Sequence, residues 1–213
     1  MSPDASLKDL ILLVADKDIE YALRGILSKR QRAIGIREIT YDVHVHGDRD
    51  PGCRIKGSDF LRPFAGQYSH ALLIFDLAGS GQDALTRDML ESQLENELHH
   101  SPWGERAAVI AIEPELEVWV WSDSPQVDRC LGWADRSSNL RDWLVQKSFL
   151  DVGQSKPLRP KEALEATLRQ VGKPRSSDIY RSIAEKVSLR RCSDPAFLKL
   201  KSTLIRWFMR TNP

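Results

Sequence analysis

Three short runs, residues 10–14 (LILLV), 71–75 (ALLIF) and 107–112 (AAVIAI), are apolar at every position. Each is too short for a helix, and an unbroken apolar run of this length is the mark of a strand covered on both faces. Between them lie helical patterns. Ile19, Ala22, Leu23, Ile26 and Leu27 recur at helical spacing after the first run, and Leu85, Met89, Leu90, Leu94 and Leu98 do so within residues 83–100 after the second. Strand alternating with helix predicts an α/β fold with a mostly parallel, Rossmann-like sheet, the three apolar runs being neighbours within it. Residues 38–45 instead alternate, Ile39, Tyr41, Val43 and Val45 against Thr40, Asp42 and His44, which predicts a half-buried strand nearer an edge.

Residues 48–52 (DRDPG) read as a turn, followed by one short helix around Phe60, Leu61 and Phe64. Beyond Pro114 only helical patterns remain, over 139–147, 160–171, 176–187 and 194–209. Asp194 is suited to cap the last of these, with Pro195 as its first residue. Residues 153–160 have the Gly, Pro and polar content of a connector. The expected organisation is therefore an α/β body over 1–150 and a basic helical extension over 151–213 packed on it.

Charge divides at the same place. The chain of 213 residues has a formal net charge of +1, but residues 1–150 hold 17 basic and 24 acidic side chains, and residues 151–213 hold 14 and 6. The basic part can meet phosphates or an acidic partner, or neutralise the body itself. Lys156, Arg159, Lys161, Lys173, Arg175 and Arg181 are the candidate nucleic-acid contacts. Three widely spaced cysteines, Cys53, Cys130 and Cys192, build neither a disulfide framework nor a zinc knuckle. That usage and the absence of an apolar run near 18 residues predict a cytoplasmic protein with no membrane partner. A Walker lysine, a Rossmann GxGxxG and a GxSxG elbow are all missing, so Gly79-Ser80-Gly81 reads as a turn, not a nucleotide cradle. His44-x-His46-x-Asp48-x-Asp50 could place two histidines on one face beside Cys53, and His with Asp can bind Zn²⁺ or Mn²⁺, although edge strands and turns commonly carry such residues. Trp119, Trp121, Trp133 and Trp143 read as core or partner-interface anchors.

In a parallel sheet all strands end at one edge, where ligands gather. The residues there are acids: Asp16, Asp18 and Glu20 after the first run, Asp76 after the second, and Glu113, Glu115 and Glu117 after the third. Acids after strands also begin helices, which accounts for Asp18, Glu20 and Glu115 better than for Asp76. Carboxylates gathered from three segments suit a hard cation, Mg²⁺ or Mn²⁺, and hence phosphoryl chemistry.

Val14-Ala15-Asp16-Lys17-Asp18-Ile19-Glu20, Ile74-Phe75-Asp76-Leu77-Ala78-Gly79 and Glu113-Pro114-Glu115-Leu116-Glu117 together resemble a divergent Toprim domain over about residues 8–125. That family, shared by topoisomerases, bacterial primases and overcoming-lysogenization-defect nucleases, carries a glutamate after its first strand and Asp-x-Asp after a later one. Ala15 stands where the glutamate would fall, leaving Asp16 or Glu20 as substitutes, and Ala78 replaces the second aspartate. Residues 113–121 also resemble a signature of small Toprim-like proteins from bacterial phage-defence operons. The resemblance implies a metal-dependent nuclease of an anti-phage system, with Asp16, Asp76 and Glu113 holding Mg²⁺ or Mn²⁺, Glu115 beside them, Glu20 assisting, and the basic extension holding phosphates. The altered motif equally fits a catalytically inactive subunit that binds a larger defence protein or nucleic acid.

Overall fold

A computed structural model of the chain describes residues 7–82 and 84–210. Four strands, β1 (Lys8–Val14), β2 (Tyr41–Val45), β3 (Tyr68–Asp76) and β4 (Ala107–Ile112), form an all-parallel sheet in the order β2-β1-β3-β4. The three apolar runs are its adjacent members, and Leu10 to Val14 are wholly buried at its centre. β2 takes an edge, as its alternation predicts, but pairing begins at Tyr41; before it, in irregular chain, the Thr40 N–H donates to the Asp9 carboxylate and the Glu38 carbonyl accepts from Arg37.

The crossovers explain which face each helix covers. From β1 the chain passes through α1 (Lys17–Lys29) and the single turn α2 (Gln31–Ile34) to β2 on one side. It then returns through α3 (Arg49–Leu61) to β3 on the other side of β1 and continues through α4 (Arg87–His99) to β4. Crossovers of one hand running in opposite directions put α1 on one face and α3 with α4 on the other. The C-terminal ends of β1 and β3 therefore flank a topological switch point.

α3 differs from expectation, because the DRDPG segment is the first turn of a helix. Pro51 lies where a backbone N–H has no helical partner to lose. Gly52 is required there, since a Cβ would lie 2.2 Å from His46 Nδ1, the atom that accepts the Asp48 N–H. α4 begins later than its pattern suggests, after Thr86, whose hydroxyl accepts the Met89 N–H. Asp83, the first residue of that pattern, lies outside the described residues.

After β4 come α5 (Glu117–Val120), α6 (Pro125–Leu131), α7 (Leu140–Gln146), α8 (Pro160–Val171), α9 (Ser177–Lys186) and α10 (Pro195–Phe208). The short α5 and α6 offer too few turns for a periodic signal. α9 packs against α1 so closely that a Cβ at Gly25 would lie 2.7 Å from the Arg181 carbonyl oxygen. α10 is capped by Asp194, as its sequence predicts, and runs past β4 to form a bridge between Ile36 and Met209. Trp121 and Trp133 are buried and Trp119 and Trp143 pack against the core; the Trp119, Trp121 and Trp133 indole N–H groups all donate within the chain. No helix among the described residues is long and apolar enough to cross a membrane.

Candidate functional site: an acidic cleft at the switch point

Asp16 leaves β1 in extended conformation, and its Oδ1 accepts the Ile19 N–H, starting α1. Asp76 closes β3, and its Oδ1 accepts the Leu116 N–H at 2.9 Å, which draws the chain beyond β4 over the switch point. Asp50, in the first turn of α3, presents Oδ1 to the Asp76 N–H at 2.8 Å. Three aspartates from three segments are thus each held through one oxygen by a backbone donor. Among the described residues, the second oxygen of each has no hydrogen-bond partner.

These aspartates line a cleft of about 530 Å³ together with Asp18, Glu115, Ala78 and Gly79. Arg49, Lys161 and Arg175 line it too, leaving five carboxylates against three cations. The imbalance has electrostatic consequences. Asp76 touches the cleft along part of its surface and is enclosed by protein elsewhere; burial pushes its pKa well above the usual 3.8, and the charges of Asp50, Glu117, Asp16 and Glu115 push it further. Burial raises Asp50 as well, the Asp76 N–H opposing and Asp16 reinforcing the shift. Glu115 is raised by burial and by Glu117, with Lys161 opposing. The Cys53 thiol is wholly buried, and burial and then Asp50 and Asp16 push it up, so it stays protonated in the ion-free fold.

Of the residues expected here, Asp16, Asp76 and Glu115 converge. Glu113 is exposed and does not line the cleft, since the chain turns outward directly after β4 and only Glu115 returns to it. Glu20 is paired with Arg24 at 2.8 Å on α1 and is not in the lining either. Asp50, expected only as a member of the histidine cluster, joins the strand-end acids instead, a place its turn-like sequence hides. The available signal was its position, an acid just beyond a strand at the same sheet edge as the others.

The six candidate phosphate contacts are engaged within the chain. Arg175 spans three elements, reaching Asp18 at 3.0 Å, Glu117 at 2.7 Å and Glu165 at 3.2 Å. Ser177 and Tyr180 of α9 complete this lock through hydroxyl bonds to Asp18 and Glu117. Lys161 meets Glu115 at 3.4 Å, Lys156 meets Asp194, Arg159 meets Glu162, and Arg181 meets Glu185. Lys173 donates to the Cys130 carbonyl. Only Lys161 and Arg175 of the six line the cleft.

The histidine cluster is occupied by packing. His44 and His46 both lie against Phe60, His46 Nδ1 accepts a backbone N–H, and Asp48 pairs with Lys56. Among the described residues no three acid, histidine or cysteine side chains already enclose a common point at coordinating distance. The cleft's donor set nevertheless suits a hard divalent ion: every acidic ligand is an oxygen, the aspartates are oriented from behind, and the formal excess is two negative charges. The chain matches no protein-family model, no curated protein and no solved structure.

Proposed function

We propose that the cleft binds one Mg²⁺ or Mn²⁺ ion among Asp16, Asp50, Asp76 and Glu115, and that the protein is a Toprim-like, metal-dependent nuclease cleaving nucleic-acid phosphodiesters in a bacterial anti-phage system. The observation that carries the reading is the set of three aspartates with one oxygen tethered to a backbone N–H and the other free beside an excess of negative charge. A bound divalent ion supplies Lewis-acid stabilisation of phosphoryl oxygens and an activated water. The chain itself orients the carboxylates through the Ile19, Asp76 and Leu116 amides. Lys161 and Arg175 offset repulsion of a polyanion. The defence role rests on the resemblance of residues 113–121 alone.

A second reading, an inactive Toprim-like subunit that binds a larger defence protein or nucleic acid, is favoured by Ala15, wholly buried, and Ala78, in the cleft wall, where the family has carboxylates. Calorimetric titration with Mn²⁺ and a nuclease assay test both readings. Wild type is expected to bind the ion, and Asp76→Asn, which keeps the acceptor for Leu116, to bind it at least about tenfold more weakly. Ion binding with no cleavage of single- or double-stranded DNA or RNA favours the inactive subunit. A folded wild type that takes up no ion rules out the metal-dependent mechanism.

A further inference from the structure

The three cations of the cleft are not equivalent. Lys161 and Arg175 are each paired with acids, whereas Arg49 makes no ion pair or side-chain hydrogen bond among the described residues. It is exposed on the cleft wall while five carboxylates share that cleft. Arg49 has φ of +53°, the left-handed region that side chains other than Asn, Asp and His rarely adopt and that Gly enters freely. The next residue is fixed on both sides. Asp50 accepts the Asp76 N–H, and it lies so near Gly79 that a Cβ there would be 2.5 Å from its Oδ2. Arg49 therefore has a defined origin one residue from a proposed ion ligand, and it holds there a guanidinium that pairs with no acid among the described residues, its charge acting on Asp50 only through space.

Building on the proposed function, we infer that Arg49 is the substrate-phosphate contact of the cleft, its guanidinium taking the non-bridging oxygens of a phosphodiester whose phosphate lies against the acid-held ion. Guanidinium is suited to this by its planar pair of donors and its permanent charge. Its role is selection of a polyanion by a cleft that is otherwise net acidic.

The test compares wild type with Arg49→Gly, Arg49→Asn and Arg49→Lys. Gly and Asn remove the charge while suiting the left-handed backbone, so they should melt no lower than wild type. Both should bind a fluorescent single-stranded oligothymidylate in Ca²⁺ about tenfold more weakly and reduce the slope of log K against log salt by about 1. Arg49→Lys should retain the slope. Mn²⁺ affinity, measured separately, should be unchanged or tighter in Arg49→Gly because a nearby positive charge is lost. Unaltered oligonucleotide affinity and slope in the Gly and Asn variants, with Mn²⁺ bound by wild type, overturn the assignment of Arg49 and leave the ion site standing. A wild type that binds Mn²⁺ but no oligonucleotide overturns it as well, while failure to bind Mn²⁺ is failure of the underlying functional reading.

Discussion

Asp50 owes its place to two neighbours that contribute no charge: the Asp76 N–H and the bare Cα of Gly79. Gly79→Ala makes this testable without touching an acid. The new methyl group must displace the Asp50 carboxylate or the 77–80 turn, in which Ser80 is wholly buried and bonded to the Leu77 carbonyl. The expected result is weaker Mn²⁺ binding with every carboxylate still present, read by the same titration, together with a loss of about 1–3 kcal/mol in urea denaturation from overpacking. Wild-type Mn²⁺ affinity in Gly79→Ala would remove Asp50 from the ligand set. The same residues mark what can be read from sequence. Asp16 and Asp76 are legible because each ends an unmistakable buried strand. Asp50 is legible only as part of the histidine cluster and not as a strand-end acid, because Asp-Pro-Gly serves a turn and a helix start equally well, and the close approaches of Gly52 to His46 and of Gly79 to Asp50 are tertiary. Glu113 and Glu115 stand two residues apart, and the bond from the Leu116 N–H to Asp76 across the switch point decides which of them faces the cleft. That is a tertiary contact with no local signature.

At the scale of elements, the apolar strands and the amphipathic helices α1, α8, α9 and α10 follow from periodicity. The treatment of the sheet's outer edge does not. β4 is an edge strand whose outward N–H groups would be open to another chain. Here Glu91 and Glu95 of α4 accept them, Ala111 N–H at 2.8 Å and Val109 N–H at 3.0 Å. Lys199 of α10 pairs with both carboxylates, at 3.0 and 2.8 Å, and so fastens the C-terminal helix to the sheet. Polar residues on α4 thus close an edge that a hydrophobic pattern would leave unexplained. Glu91→Ala should cost about 2–4 kcal/mol, since it orphans a buried amide and removes one of the two carboxylates from Lys199. Glu91→Gln keeps an acceptor and should lose less. Equal losses in the two variants by chemical denaturation would assign the effect to packing, not to the amide bond.

Across the whole molecule, the negative body and positive extension meet as a set of internal pairs, of which the Arg175 lock joining α1, α5, α8 and α9 is the most connected. What the pairs leave uncompensated is the acid of the cleft, and this predicts an unusual pH dependence. Asp76 titrates above its unfolded value, so between that value and its folded pKa the native state binds more protons than the unfolded state. Its contribution to stability therefore falls as pH rises through this window, with Asp50 and Glu115 acting in the same sense. His70 acts oppositely. Burial lowers its pKa from 6.5 to about 4, so its contribution rises with pH between those values. Asp9 and Asp42 are lowered, so their contributions are lost only as pH falls below the ordinary carboxylate range. The comparison of wild type with Asp76→Asn cancels His70 and isolates the cleft. Without divalent ions, Asp76→Asn should be the more stable protein, by a margin that widens from about pH 5 to about pH 7.5 wherever the native carboxyl keeps a proton that the unfolded chain has lost. Saturating Mn²⁺ should stabilise wild type more than the variant and narrow or reverse that margin at about pH 7.5, since an ion bound only by the native state adds its binding free energy to stability. Urea denaturation of both proteins at the two pH values, with and without Mn²⁺, supplies all the comparisons. A pH-independent margin would mean that Asp76 is already ionised at about pH 5 in the ion-free fold. A margin that Mn²⁺ leaves unchanged would mean that Asp76 is not a ligand, even if the protein binds the ion elsewhere.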